Sequence, residues 1–165
     1  MIALTEVTME NLSAVTALAA GPEDGQFVPS AAEIAARAWV LRSHGAALHA
    51  IEAEGRTVGL ALVYELDELP ACYCLMEMLI DHRHRRRGYA SEALREIIAR
   101  CGAARKYPAI ELAVDRQNIA AIACYTKAGF VDSGYVDPAL PQYVNMIYRF
   151  EGSSERSSIA APDLT

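Results

Sequence analysis

Ten residues near the middle of the chain, ACYCLMEMLI from Ala71 to Ile80, hold a single charge, Glu77. An apolar run of this length, with DELP turning the chain just before it, predicts a strand covered on both faces. The run leads directly into DHRHRRRG, where four arginines fall between positions 83 and 87. Beyond it Ala90, Leu94, Ile97, Ile98 and Cys101 recur at helical spacing. A buried strand, a cationic glycine turn and an amphipathic helix in direct succession commit the chain to helices layered on a sheet.

The flanking segments extend this pattern. Ile2 to Val7 predicts a strand, and Thr8 caps a helix running to about Ala20. GPEDGQFVPS breaks it with two glycines and two prolines. Ser30 and Glu33 form an S-x-x-E capping box for a second helix through about His44. ALHAIEAEGRTVGLALVYE predicts a hairpin turning at Glu54 and Gly55. AIELAV (Ala109 to Val114) is a buried strand, and Asn118 to Lys127 a short helix stopped by Gly129 at C′. Two last strands follow, at about Phe130 to Tyr135 and Tyr143 to Phe150. The order β-α-α-β-β-β-α-β-α-β-β predicts one mixed α/β (α+β) domain over residues 1–150. Residues 151–165 are small and polar, and a loose tail is expected there.

The arginine turn sits in a chain whose formal net charge is −6. That balance argues against broad nucleic-acid binding and leaves a local anion site as the use for the cations. The first N–H groups of a helix have no internal partner, and the helix dipole favours an anion there. Gly88 permits close approach to the backbone, and arginines add charge-assisted contacts to phosphate oxygens. A solvated basic face, a nucleic-acid patch or simple helix entry are the competing readings of residues 80–94 alone. The four cysteines, Cys72, Cys74, Cys101 and Cys124, lack paired C-x-x-C spacing, so no metal site is expected. The sequence begins with no secretory pattern and holds no apolar run of about 18 residues, so a cytoplasmic protein without membrane partners is expected.

RRRGYA (Arg85 to Ala90) matches [Q/R]-x-x-G-x-[G/A], and NIAAIACYTKAGF (Asn118 to Phe130) matches N-x-x-A-x-x-x-Y-x-x-x-G-F at every specified position. Together, and on the expected elements, these two stretches resemble the signatures of the GNAT superfamily of acyl-CoA-dependent N-acetyltransferases. The resemblance spans about residues 2–150. It implies a mixed, mostly antiparallel sheet of six to seven strands flanked by about four helices, acetyl-CoA as co-substrate, and direct acetyl transfer to an amine in a ternary complex. It further implies that backbone groups of Met78, Leu79 and Ile80 hold the pantetheine arm as an added strand would. The pyrophosphate would lie on backbone N–H groups of Arg86, Arg87, Gly88, Tyr89, Ala90 and Ser91, with Arg85 and its neighbours neutralising it. Asn118 would touch the cofactor near its pantetheine, and Tyr125 would protonate the departing thiolate. Without the resemblance, Tyr125 is a core tyrosine and Asn118 a helix N-cap.

Acyl transfer needs a neutral amine, and a carboxylate ordinarily takes the proton. Glu77, alone among apolar neighbours, is the candidate for general base or ammonium-binding carboxylate; the competing reading has it facing solvent. Glu65, Asp67 and Glu68 cluster in the preceding turn and could hold a cationic substrate, or be a plain acidic turn. QFVPSAAEIAARAWV, GLALVYELDELP and MLIDHRHRRRGYA are similar to a bacterial branch acting on diamines, spermidine or spermine, and an acidic chain suits a polycation. That branch often has arginine at the place of Glu77 and lysine at the place of Arg87, and DPALPQYVNM lacks its usual GE turn. A cationic antibiotic, an amino acid or a peptide N-terminus remains an alternative amine, and a CoA-binding regulatory module without turnover an alternative role. Homodimers are common in the family.

Overall fold

The computed structural model describes residues 1–68 and 70–151, so the expected tail, apart from Glu151, lies outside the described residues. Seven strands form one sheet: β1 (Ile2–Glu6), β2 (Ala47–Ala53), β3 (Arg56–Leu66), β4 (Cys72–Ile80), β5 (Ala109–Asp115), β6 (Val131–Asp132) and β7 (Tyr143–Arg149). Their order is β1-β2-β3-β4-β5-β7-β6. Every neighbouring pair is antiparallel except β4 with β5. Four α-helices flank it: α1 (Leu12–Thr16), α2 (Ala31–Val40), α3 (Tyr89–Ala104) and α4 (Ile119–Lys127). The expected fold class and strand number are those observed.

Each face of the sheet carries its own core. Val15, Leu18 and Ile34 from the α1–α2 side bury Leu60, Leu62 and Leu79. Leu94, Ile97 and Phe130 from the α3–α4 side bury Val63, Leu75, Ile110 and Leu112. β4 is therefore covered on both faces, as its apolar run requires. Burying a side chain such as Ile34 or Phe130, both 0% exposed, contributes about 1.5–3 kcal/mol each.

Local signals set the turns. Glu54 and Gly55 both take positive φ, 53° and 71°, which is the type I′ hairpin that matches strand twist. Ser30 Oγ accepts from the Glu33 amide at 3.2 Å, the forward half of the capping box; the Glu33 carboxylate turns instead to Arg37. α2 ends at Val40 and a 3₁₀ turn, Leu41–His44, completes the stretch expected to be helical. The first helix is shorter than expected, starting behind an Asn11 cap and ending at Thr16. Ala19 has other partners: its N–H donates to Asp81 Oδ2 at 3.0 Å and its carbonyl accepts from the His82 amide at 2.9 Å. In a helix continuing through Ala19 that N–H would be spent on the carbonyl four residues back.

The end of α4 explains half of the second signature. Gly129 (φ 101°) is C′ and Phe130 is C″; the Gly129 amide donates to Thr126 O at 3.0 Å and the Phe130 amide to Tyr125 O at 3.1 Å. This is a Schellman stop, completed by an edge-on Tyr125–Phe130 contact with ring centroids 5.9 Å apart. Phe130 is thereby spent on the stop, and β6 shrinks to two residues from the six expected. A Cβ on Gly129 would lie 3.0 Å from the Tyr148 ring. Gly129→Ala is expected to cost about 1–3 kcal/mol, read as a lower urea midpoint at unchanged m-value. Among the described residues no helix is long and apolar enough to cross a membrane.

Candidate active site

The cleft starts where β4 and β5 part. β5 pairs with β4 only at Tyr73↔Ile110 and Cys74↔Glu111. β3, by contrast, stays paired with β4 as far as Gly59↔Ile80. Within that ladder Leu62 faces Glu77 and Val63 faces Leu75, so Met76 is an extra residue in β4. Such a bulge bends its strand and increases the twist, here beside the opening. Past the two pairs, β4 presents an unpaired backbone edge to the gap, and Met78, Leu79 and Ile80 lie along it. An extended, amide-rich ligand can complete that edge as a strand does.

The arginine turn closes one end of the gap, and the structure divides its cations into two pairs. Asp81, 0% exposed, accepts from the Arg83 amide at 2.9 Å, Arg83 Nε at 2.8 Å, Arg83 Nη2 at 2.9 Å and the Ala19 amide. Arg83 above all, by these hydrogen bonds, holds the Asp81 carboxyl well below the usual carboxylate range. Arg85 pairs with Asp24 and donates from Nη2 to Ala20 O at 2.6 Å. Asp81, itself clamped by Arg83, and Arg85 thus bolt the segment from Ala19 to Asp24 to the turn. Arg86 and Arg87 are exposed and hold no ion pair among the described residues.

The same turn shapes its backbone for an anion. Arg86 has φ 61° and Gly88 φ 82°, and Gly88 caps α3 without a side-chain acceptor for the helix amides. Positive-φ turns of this kind gather backbone N–H groups into a concavity at a helix N-terminus. Gly88 has open space where a Cβ would point. Tyr89 is buried in the α3 core and pins the helix start, while Ala90 and Ser91 are half-buried behind it.

Glu77 sits on β4 itself, three residues past the last β4–β5 pair. Glu77, with 13% of its side chain exposed, shares the α2 face of β4 with its cross-strand neighbour Leu62. Burial pushes its carboxyl up to about 7; Arg37 pulls the other way and Glu33 adds to the rise. Arg37 Nη1 donates to Glu77 Oε1 at 2.6 Å. Tyr125, in the third position from the end of α4, has its hydroxyl pushed above the ordinary phenol range, first by burial and then by the charges of Cys124 and Glu77. Asn118 Oδ1 accepts from the Ala121 amide at 3.2 Å as the α4 cap.

Glu65, Asp67 and Glu68 are not brought beside Glu77. Glu65 pairs across the sheet with Tyr73, a residue of the α3-side core, and binds Lys106 and the Tyr107 hydroxyl. Asp67 also accepts from Tyr107, and Glu68 is exposed at the turn. The alternation of a strand puts Glu65 and Glu77 on opposite faces. Conversely, Asp81, Asp24 and Arg37 were missed in the sequence, and Glu33 was read only as a capping residue. Asp81 carried a signal as an N-cap ahead of the His82–His84 turn, and Glu33 with Arg37 an i,i+4 spacing; the long-range pairs Arg37–Glu77 and Asp24–Arg85 had none.

The model of the acetyltransferase (GNAT) family matches residues 12–130. A comparison with curated protein sequences finds no match. Among solved structures, the chain is similar to an acetyltransferase from Agrobacterium tumefaciens str. C58, at TM-score 0.72 and 18% identity, covering 90% of this chain and 91% of that one. An aminoglycoside acetyltransferase in complex with coenzyme A aligns at TM-score 0.72 and 18% identity, over 90% of this chain and 95% of the other. A spermidine N-acetyltransferase from Vibrio cholerae, in complex with CoA and spermine, aligns at TM-score 0.69 and 16% identity, again over 90% and 95%.

Proposed function

The chain belongs to the acetyltransferase (GNAT) family, and from that premise we propose that it moves an acetyl group from acetyl-CoA to a primary amine of a small cationic substrate, with polyamines and diamines favoured. The observation that carries the proposal is the opening between β4 and β5 with Glu77 and Tyr125 beside it. The residues present suit acetyl-CoA. The unpaired edge at Met78, Leu79 and Ile80 would take the amides of its pantetheine arm. The concavity from Arg86 to Ser91, with Arg86 and Arg87 in no ion pair among the described residues, would take its pyrophosphate.

Acetyl-CoA supplies the acyl group as a thioester whose sulfur leaves. Glu77, titrating near neutrality, receives the proton that the amine gives up as its nitrogen bonds to the acyl carbon. Tyr125, a phenol protonated at neutral pH, holds the proton that the sulfur takes as the C–S bond breaks. One proton leaves nitrogen and one reaches sulfur, so the products are the neutral amide and free CoA thiol. Asn118 positions the start of α4, and the Schellman stop positions its end, so Tyr125 is held from both sides.

Two facts favour a cationic amine: the net charge of −6 and the carboxylates of Glu33 and Glu77 on one side of the cleft. Spermine and kanamycin, bound to two of the similar structures, are both polycationic amines. The test is a thiol-release assay with acetyl-CoA and a panel of spermidine, spermine, putrescine, kanamycin, free amino acids and a peptide amine. Release with polyamines above the other amines is expected. No acetyl-CoA-dependent release with any amine, while CoA still binds, would instead assign a CoA-binding regulatory role.

A further inference from the structure

Arg37 takes no part in the chemistry above, yet its guanidinium lies against the base. It projects from α2 and donates to Glu77 Oε1 at 2.6 Å and to Glu33 Oε1 at 2.7 Å, joining carboxylates from two elements. The helix does not need it for docking, since α2 is seated by Ala31 and Ile34. The side chains grade from the cleft outward, Glu77 13% exposed, Arg37 38% and Glu33 54%. Two carboxylates share one cation, so the cluster keeps a net negative charge. The outer pair, Arg37 with Glu33, is half-exposed, and such a pair is weak enough for its cation to be exchanged for a ligand's charge.

We propose that Arg37 is a built-in stand-in for the second cation of a diammonium substrate. The distal ammonium displaces the guanidinium and rests on Glu33, while the reacting amine faces Glu77; monoamines cannot make the exchange. Glu33 is then a specificity residue and Arg37 a competitor whose departure admits the substrate. This rests on the amine-acetylating role proposed for the same cleft. The groups facing Glu77 are Arg37 and Glu33 from α2, Tyr125 from α4 and Cys74 on its own strand. Of these only Arg37 draws the Glu77 carboxyl down.

Arg37→Gln and Glu33→Gln are compared with the unsubstituted chain for spermidine and n-butylamine, by CoA release and by calorimetric titration of each amine into protein saturated with CoA. Arg37→Gln is expected to lower both KM and Kd for spermidine about three- to tenfold, a modest electrostatic gain, with butylamine little changed. Glu33→Gln is expected to raise them about tenfold for spermidine and far less for butylamine. An unchanged or raised spermidine Kd in Arg37→Gln overturns the proposal, as does an equal effect of Glu33→Gln on the two amines. So does a raised KM in Arg37→Gln confined to amines that carry a carboxylate. If the unsubstituted protein releases no CoA with any amine, acetyl transfer is the part that fails, and the titrations still decide on Arg37 by the same criteria.

Discussion

Tyr125→Phe lowers kcat by about tenfold to a thousandfold, the usual scale for losing one acid catalyst. The substitution removes one oxygen and leaves the ring. The contact with Phe130, centroids 5.9 Å apart, and the Schellman stop around Gly129 stay in place. Acetyl-CoA binding is therefore retained, and the loss falls on turnover. The measurement is steady-state CoA release together with a CoA titration of the same variant. A variant with full kcat would return Tyr125 to the role of a core tyrosine that happens to stop beside a cleft. The hydroxyl is protonated at neutral pH with or without the rise that burial causes, and the rise makes it a weaker acid, so the proposed role rests on its place near Glu77 and not on the shift.

Glu77→Gln lowers kcat/KM by about a hundredfold and changes the shape of the pH profile. The sign follows from the direction of the shift. Burial raises the carboxyl to about 7, above its ordinary value of 4.5, and only the ionised form accepts a proton. Activity of the unsubstituted protein therefore rises as pH passes upward through about 7. A second rise, from deprotonation of the free amine, lies near the ordinary alkylammonium value of about 10. Glutamine cannot titrate, so the first rise disappears and the second remains. A profile that keeps both rises, with unchanged KM, would leave Glu77 as no more than the partner of Arg37.

Arg83, Arg85, Arg86 and Arg87 are alike in sequence and unlike in place. A run of cations before a glycine and an amphipathic helix specifies an anion-favouring turn, because backbone φ and open helix amides are local properties. Which arginines serve it depends on whether Asp81, Asp24 and the carbonyl of Ala20 come near, and two of those three lie some sixty positions away along the chain. Glu65 and Glu77 make the same point for acids. Both looked available to a cation, but one residue of strand alternation and the bulge at Met76 send them to opposite faces, Glu65 to Lys106 and Glu77 to Arg37.

What the sequence determined by itself is everything encoded within about one turn of backbone. The type I′ hairpin at Glu54–Gly55, the Ser30 and Asn118 caps, the Schellman stop behind Tyr125 and the helix entry at Gly88 each need only neighbours a few residues apart. Those pieces carry both family signatures, so order, fold class and family were legible. The tertiary structure alone decided the parting of β4 from β5, the shortened first helix held by Asp81, and the Glu33–Arg37–Glu77 cluster. Each depends on register between distant strands or on which face a side chain meets, and a shift of one residue in a pleated strand reverses that face.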